Sequence, residues 1–112
     1  MIDCYEDEVE PLGLFDKMIP AGTAVQNLRS SYMKETLSRD GKHMSSVHGR
    51  FLLGLNFLSN VFDIDLDKSP CTYLPSEISP SFMVIANEAV KNAHNHPLEV
   101  TNSLYPDRKS VV

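Results

Sequence analysis

Basic residues are few and scattered. Ten Lys and Arg stand against fifteen Asp and Glu in 112 residues, a net charge of −5. Only Arg108 and Lys109 adjoin. Phosphate recognition needs clustered cations, so the charge pattern argues against a nucleic-acid binder. Long apolar runs are missing too. No window approaches the ~18 continuous apolar residues of a membrane span. With two cysteines, Cys4 and Cys71, there is no disulfide framework and no CxxC metal pair, and at most one bridge. The opening, Met1-Ile-Asp-Cys-Tyr-Glu-Asp-Glu, is acidic where a signal peptide would be basic and then apolar. No repeat or low-complexity tract is visible. A parallel α/β sheet covered on both faces needs several βα units of ~30 residues each. This length holds three at most.

What is present is ordinary globular composition, 42 % hydrophobic and 22 % charged, which fits one domain and not a disordered chain. Residues 2–16 are acidic, poorly patterned and broken by Pro11 and Gly13. Residues 17–20 form one short strand-like run, stopped by Pro20 and Gly22. Thr23 and Gln26 fit a capping box, and a helix is predicted over about 23–32, with Ala24, Val25, Leu28 and Tyr32 on one side. Residues 33–45 read as a polar loop. Ser45 or Ser46 can cap a helix over about 46–62, where Val47, Phe51, Leu55, Leu58 and Phe62 recur at helical spacing. Leu52, Leu53 and Phe57 widen that face, so this helix is expected to be buried on more than one side. Gly49 and Gly54 each cost about 1 kcal/mol against Ala in a helix, which close backbone packing would offset. A linker over 63–79 precedes Ser79-Pro80, an N-cap followed by Pro at the first helical position. Phe82, Ile85, Ala86, Ala89, Val90 and Ala93 then make the stripe of a last helix ending near His94–His96, before Pro97. Residues 98–112 read as a loose tail.

Asp40-x-x-His43 is the best chemical candidate. A carboxylate three residues before an imidazole can accept its Nδ1–H, which leaves Nε2 as a general base. A helix N-terminus just beyond would favour the neutral ring. With eight Asp and four His in the sequence, roughly 0.3 such spacings arise by chance. A solvated loop with an Asp40-Gly41 turn is the alternative on spacing alone. His94 and His96 with His43 or His48 would make a zinc donor set, but a pair at a helix end before Pro97 reads better as capping or solvated. His48 reads as half-buried packing. Asp63-Ile-Asp-Leu-Asp67 opens like a calcium loop, yet Lys68 stands where Gly is needed and Leu74 where the bidentate Glu belongs. Gly49 and Gly54 have phosphate-loop spacing without the Lys that must follow. The five Met read as core filler. No cofactor or metal is expected.

Three ordered blocks carry a resemblance: Ile19-Pro-Ala-Gly-Thr-Ala-Val-Gln-Asn-Leu-Arg29, Ser38-Arg-Asp-Gly-Lys-His-Met-Ser45 and Gly49-Arg-Phe-Leu-Leu-Gly-Leu55. Over roughly residues 18–97 they resemble the C-terminal part of the SGNH (GDSL-like) hydrolase superfamily, nearest to an uncharacterised bacterial branch. That branch has a Pro-x-Gly-Thr-Ala turn, an Arg-Asp-Gly-x-His-x-Ser loop and a Gly-Arg-Tyr-like helix, and here Phe51 takes the aromatic place. The resemblance implies α/β ancestry, the end of a flavodoxin-like three-layer fold, with this chain itself mostly α: about three helices and one short strand. It implies a single partial domain over 1–112, with 17–97 as the SGNH-like part. It also implies that Asp40 orients and His43 is the general base of a Ser-His-Asp triad. Asn27 and Arg29 match the branch pattern without an implied catalytic role. Relatives of this kind are often exported.

The family's nucleophile sits in a Gly-Asp-Ser or Gly-Asn-Ser turn. None of the twelve Ser here does, and the middle blocks that donate the oxyanion hole are absent. The expectation is the last third of an esterase or acylhydrolase, as a truncated product, a split-gene half or a remnant, inactive alone and completed by an N-terminal segment carrying the Ser. A non-catalytic helical module that self-associates through an apolar face is the alternative, and a His-based metal-binding protein is the second.

Overall fold

A computed structural model describes residues 2–33, 37–38, 40, 43–68 and 75–106. An irregular helical run opens the chain: α1 (Ile2–Cys4), a π-turn (Tyr5–Val9) and a 3₁₀ turn (Glu10–Leu12). Pro11 cannot continue an α-helix, and Gly13 ends the run in the left-handed region at φ 63°. The body is α2 (Ala21–Arg29), α3 (His48–Val61) and α4 (Pro80–Asn95), with α4 packed on both other helices. The chain is mostly helical. Among the described residues there is no β-ladder, only isolated bridges pairing Ser31 with Pro106 and Ser38 with Met44. Residues 17–20, read as a short strand, enter no ladder among them; a strand needs a neighbour to take its N–H and C=O groups.

The last helix forms as its pattern requires. Ser79 Oγ accepts the Phe82 N–H at 3.1 Å, and Pro80 occupies the first position. Phe82, Ile85, Ala86, Ala89, Val90 and Ala93 are all buried, and three small Ala let the neighbouring helices approach. The ring of His48 meets Phe82 edge-on at 4.8 Å, so His48 is the half-buried packing residue expected. The C-terminus falls at Asn95, where the His96 N–H closes on the Asn92 carbonyl.

The second helix begins three residues earlier than its capping pattern suggests, with Pro20 and not Thr23 at the N-cap. Pro20 precedes it without a side-chain cap. Thr23 is buried inside the first turn, and its hydroxyl donates to the Pro97 carbonyl at 2.7 Å. That bond is better than a cap for a buried hydroxyl, because it ties the start of α2 to the end of α4. Ser30 and Ser31 then donate back to the Asn27 and Leu28 carbonyls at 2.7 and 2.6 Å, competing with further helix.

The third helix turns a different side inward from the one its apolar periodicity suggests. Its buried residues are Gly49, Leu52, Leu55, Asn56, Ser59 and Asn60, while Leu53, Phe57, Leu58 and Phe62 are exposed. Apolar residues lie at helical spacing on more than one side, so the polar ones decide. Asn60 Nδ2 donates to Asn56 O and Oδ1 at 2.7 and 2.9 Å, and Asn60 Oδ1 lies 2.9 Å from His94 Nδ1 on α4. Inside, that network clamps two helices. Lys17 Nζ closes the far end of α3, reaching the Asn60 and Val61 carbonyls at 3.4 Å, a cation at the negative end of the helix dipole. Asp63 follows at φ 54°, a left-handed position that Asp tolerates.

The segment after Pro97, read as a loose tail, is fastened over 101–105. Asn27, 2 % exposed, donates from Nδ2 to the Ala89 carbonyl at 3.1 Å and accepts the Thr101 N–H at 2.7 Å. Glu88 takes the Ser103 hydroxyl at 2.5 Å and the Leu104 N–H at 3.0 Å. Tyr32 N–H donates to the Tyr105 carbonyl at 2.9 Å.

Candidate functional site

Asp40 and His43 sit at the tip of a loop whose base is closed. Ser45 N–H donates to the Leu37 carbonyl at 2.8 Å, and Ser38 bridges Met44. The loop is pressed onto the first turn of α3. Ser45 Oγ accepts the Gly49 N–H at 2.8 Å, but the N-cap position of α3 is Val47, which has no side-chain cap, and not Ser45 or Ser46. A Cβ on Gly49 would stand 2.4 Å from the Leu37 carbonyl oxygen, so only glycine lets the loop lie this close. Gly54, with nothing within 4 Å of a built Cβ, has no such reason to be glycine.

Within the tip, Asp40 Oδ2 lies 2.7 Å from His43 Nδ1, and Asp40 Oδ1 accepts the His43 backbone N–H at 2.8 Å. A carboxylate only accepts, so the imidazole hydrogen belongs on Nδ1 and the lone pair on Nε2. The backbone bond fixes the carboxylate against the ring it orients. The two side chains are open to water, 61 % exposed for His43 and 48 % for Asp40. The first helical residue of α3 is His48, and the dipole fades within one turn. Asp40, bonded to both the ring and the backbone of His43, orients the ring.

The other candidates are placed elsewhere. His94 is committed through Nδ1 to Asn60 and borders a cleft of about 270 Å³ with Asp63, Asp65, Asp67 and Lys91. Lys91 is bonded to Asp67, and the Asp67 N–H donates to Asp65 Oδ1 at 2.9 Å. Among the described residues, no group of three or more His, Cys, Asp or Glu side chains could hold a metal ion, and no helix is long and apolar enough to cross a membrane. Cys4 is exposed and free, and Cys71 lies outside the described residues. Asn27 serves packing, as its two bonds show, while Arg29 is exposed. Ser30, Ser31, Ser45, Ser79 and Ser103 spend their hydroxyls on backbone groups or on Glu88. A cleft of about 460 Å³ runs between α1 and the start of α2, bounded by Ile2, Tyr5, Met18, Ile19 and Leu98; neither Asp40 nor His43 lines it. The Asn56–Asn60–His94 clamp escaped the sequence reading, although three polar residues at 56, 59 and 60 in an apolar helix were a visible signal.

Residues 3–94 match the family described as Domain of unknown function (DUF4886). The crystal structure of a DUF4886 family protein from Bacteroides uniformis is similar at a TM-score of 0.78 and 30 % identity, over 90 % of this chain and 38 % of that one. The chain thus spans 38 % of that relative's length. Among curated proteins nothing matches. The matched span contains the loop, all three main helices up to His94, and both Asp40 and His43: the chain belongs to the DUF4886 family.

Proposed function

We propose that the chain is the C-terminal segment of an SGNH-type esterase or acylhydrolase, in which Asp40 orients and His43 is the general base. The observation that carries this reading is the doubly bonded carboxylate of Asp40, one oxygen on His43 Nδ1 and the other on the His43 N–H. The three sequence blocks supply the family, and the DUF4886 relative supports a larger protein around such a unit. His43 Nε2 takes the proton of a serine hydroxyl as its oxygen attacks the ester carbonyl, then returns it to the departing alkoxide; Asp40 stays ionised throughout. The serine and the oxyanion donors come from polypeptide outside these 112 residues, on the same chain or another. Hydrolysis of p-nitrophenyl esters by the protein isolated whole from its own cells, lost in His43→Ala, tests the reading.

A second reading has its own observation. The outward side of α3 carries Leu53, Phe57, Leu58 and Phe62, and such a face suits a helical module that associates without catalysis. A monomer by light scattering that unfolds cooperatively counts against it.

A further inference from the structure

A cleft of about 270 Å³ lies between the segment that follows α3 and the last turns of α4. Asp63, Asp65 and Asp67 of that segment line it, with Ser59 of α3 and His94 and Lys91 of α4. Buried Leu66 and half-buried Ile64 make part of its wall apolar. Each carboxylate is bonded through one oxygen: Asp63 Oδ2 to Lys17 Nζ at 3.3 Å, Asp65 Oδ1 to the Asp67 N–H at 2.9 Å, and Asp67 Oδ2 to Lys91 Nζ. The second oxygen of each bonds to none of the described residues. His94 adds a lone pair. Asn60 Nδ2 donates to Asn56 Oδ1, which turns Asn60 Oδ1 to His94 Nδ1 at 2.9 Å. An oxygen there places the imidazole hydrogen on Nδ1 and leaves Nε2 to accept. Ser59 is 6 % exposed, yet its hydroxyl bonds to none of the described residues. It is not among the atoms sealed in the core without a partner, as Asn56 Nδ2 is, so its oxygen opens on the cleft it lines. A hydroxyl so nearly buried and still unpaired is an unfilled demand for a hydrogen bond.

We propose that this cleft binds a small aliphatic primary amine in its ammonium form. The unspent groups all accept: carboxylate oxygens, an imidazole nitrogen and a hydroxyl. They call for a cation that donates several hydrogen bonds, and an ammonium donates three. A metal ion does not fit, because among the described residues no three His, Cys, Asp or Glu side chains could hold one. An ammonium needs no fixed coordination geometry, and Lys91 already places one on the rim, against Asp67. The hydrogen bond to Asp67, then the charges of Asp67 and Asp65, hold that ammonium above its ordinary value, so the rim favours positive charge. Ile64 and Leu66 offer an apolar wall for a methylene stem. The volume, just below the ~300 Å³ at which drug-sized pockets begin, suits a short amine. Neither Asp40 nor His43 lines the cleft, so binding there is independent of any hydrolysis at His43.

The test titrates n-butylammonium into the protein isolated whole from its own cells, read by saturation-transfer NMR. Tetramethylammonium, which carries the same charge and no N–H, is the control. The expected result is saturable transfer to n-butylammonium, with tetramethylammonium bound about tenfold more weakly. Ser59→Ala has no bond to lose in the fold, so its Tm should stay as in the wild type while its affinity for n-butylammonium falls about tenfold. Lys91→Met frees the Asp67 carboxylate and should tighten binding. Equal responses from the two cations would show charge screening alone and overturn the site. Unchanged affinity in Ser59→Ala, or a lowered Tm, would place that hydroxyl in the fold and overturn its role. Calcium ions displacing n-butylammonium at lower concentration than the amine itself would overturn the ligand class. A lysine capped at both ends that binds about tenfold tighter than n-butylammonium would make the source a protein side chain and overturn the free amine.

Discussion

Asp40 and His43 are joined twice, by Oδ2 to Nδ1 at 2.7 Å and by Oδ1 to the backbone N–H at 2.8 Å. The second bond makes the first directional, because the carboxylate cannot turn away without leaving a backbone donor unpaired. Nitrogen-15 shifts of the imidazole check this above the pH at which the ring is charged. We expect the hydrogen on Nδ1 in the wild type, and a shift towards the Nε2–H form in Asp40→Ala. An unchanged tautomer would mean that Asp40 does not orient the ring.

Gly49 and Gly54 should respond to alanine with opposite signs. At 49 the new Cβ would meet the Leu37 carbonyl oxygen at 2.4 Å, and relief requires the Asp40–His43 loop to move, at a cost of about 1–3 kcal/mol. At 54 there is no neighbour within 4 Å, and helix propensity alone should stabilise by about 1 kcal/mol. Denaturant titration of both variants measures the difference.

Asn27→Ala removes two bonds at once, to the Ala89 carbonyl and from the Thr101 N–H. Leaving both backbone groups short of a partner should cost about 2–3 kcal/mol. Amide exchange at Thr101 should quicken more than at Ser103, because Asn27 accepts the Thr101 N–H while Ser30 Oγ holds the Ser103 N–H.

Lys91 provides a pH-dependent term. Its hydrogen bond to Asp67, and then the charge of Asp67, hold the ammonium above its ordinary value of 10.5. A folded-state pKa raised above the unfolded one stabilises fully below the unfolded value and is lost as pH rises through the folded one. The wild type should therefore lose Tm faster than Lys91→Met above about pH 10.5. The effect is small, since both partners are exposed to water.

Much of the helical frame was legible. Ser79-Pro80 and the 82–93 stripe state α4 outright, because cap and core face agree. α3 was legible as a helix but not in its orientation. Apolar residues surround it, and the side turned inward is the one that bonds Asn60 to His94 and lays Gly49 against Leu37, tertiary facts that no local pattern holds. Thr23 was misread for a related reason: its spacing to Gln26 imitates a capping box, while its hydroxyl partner, Pro97, is remote in sequence. The Asp40–His43 pair was legible as a local turn. The partner side chains of its proposed chemistry were not, since none of the twelve Ser stands in a Gly-Asp-Ser or Gly-Asn-Ser turn.

The central claim is that His43 acts as a base on a serine brought by other polypeptide. Its most direct measurement is fluorophosphonate labelling of the protein isolated whole from its own cells, beside the His43→Ala form. The account predicts labelling of a serine outside these 112 residues, slowed by about 10²-fold or more in the variant, the range of general-base catalysis. No labelling, or labelling at the same rate in both proteins, would contradict it.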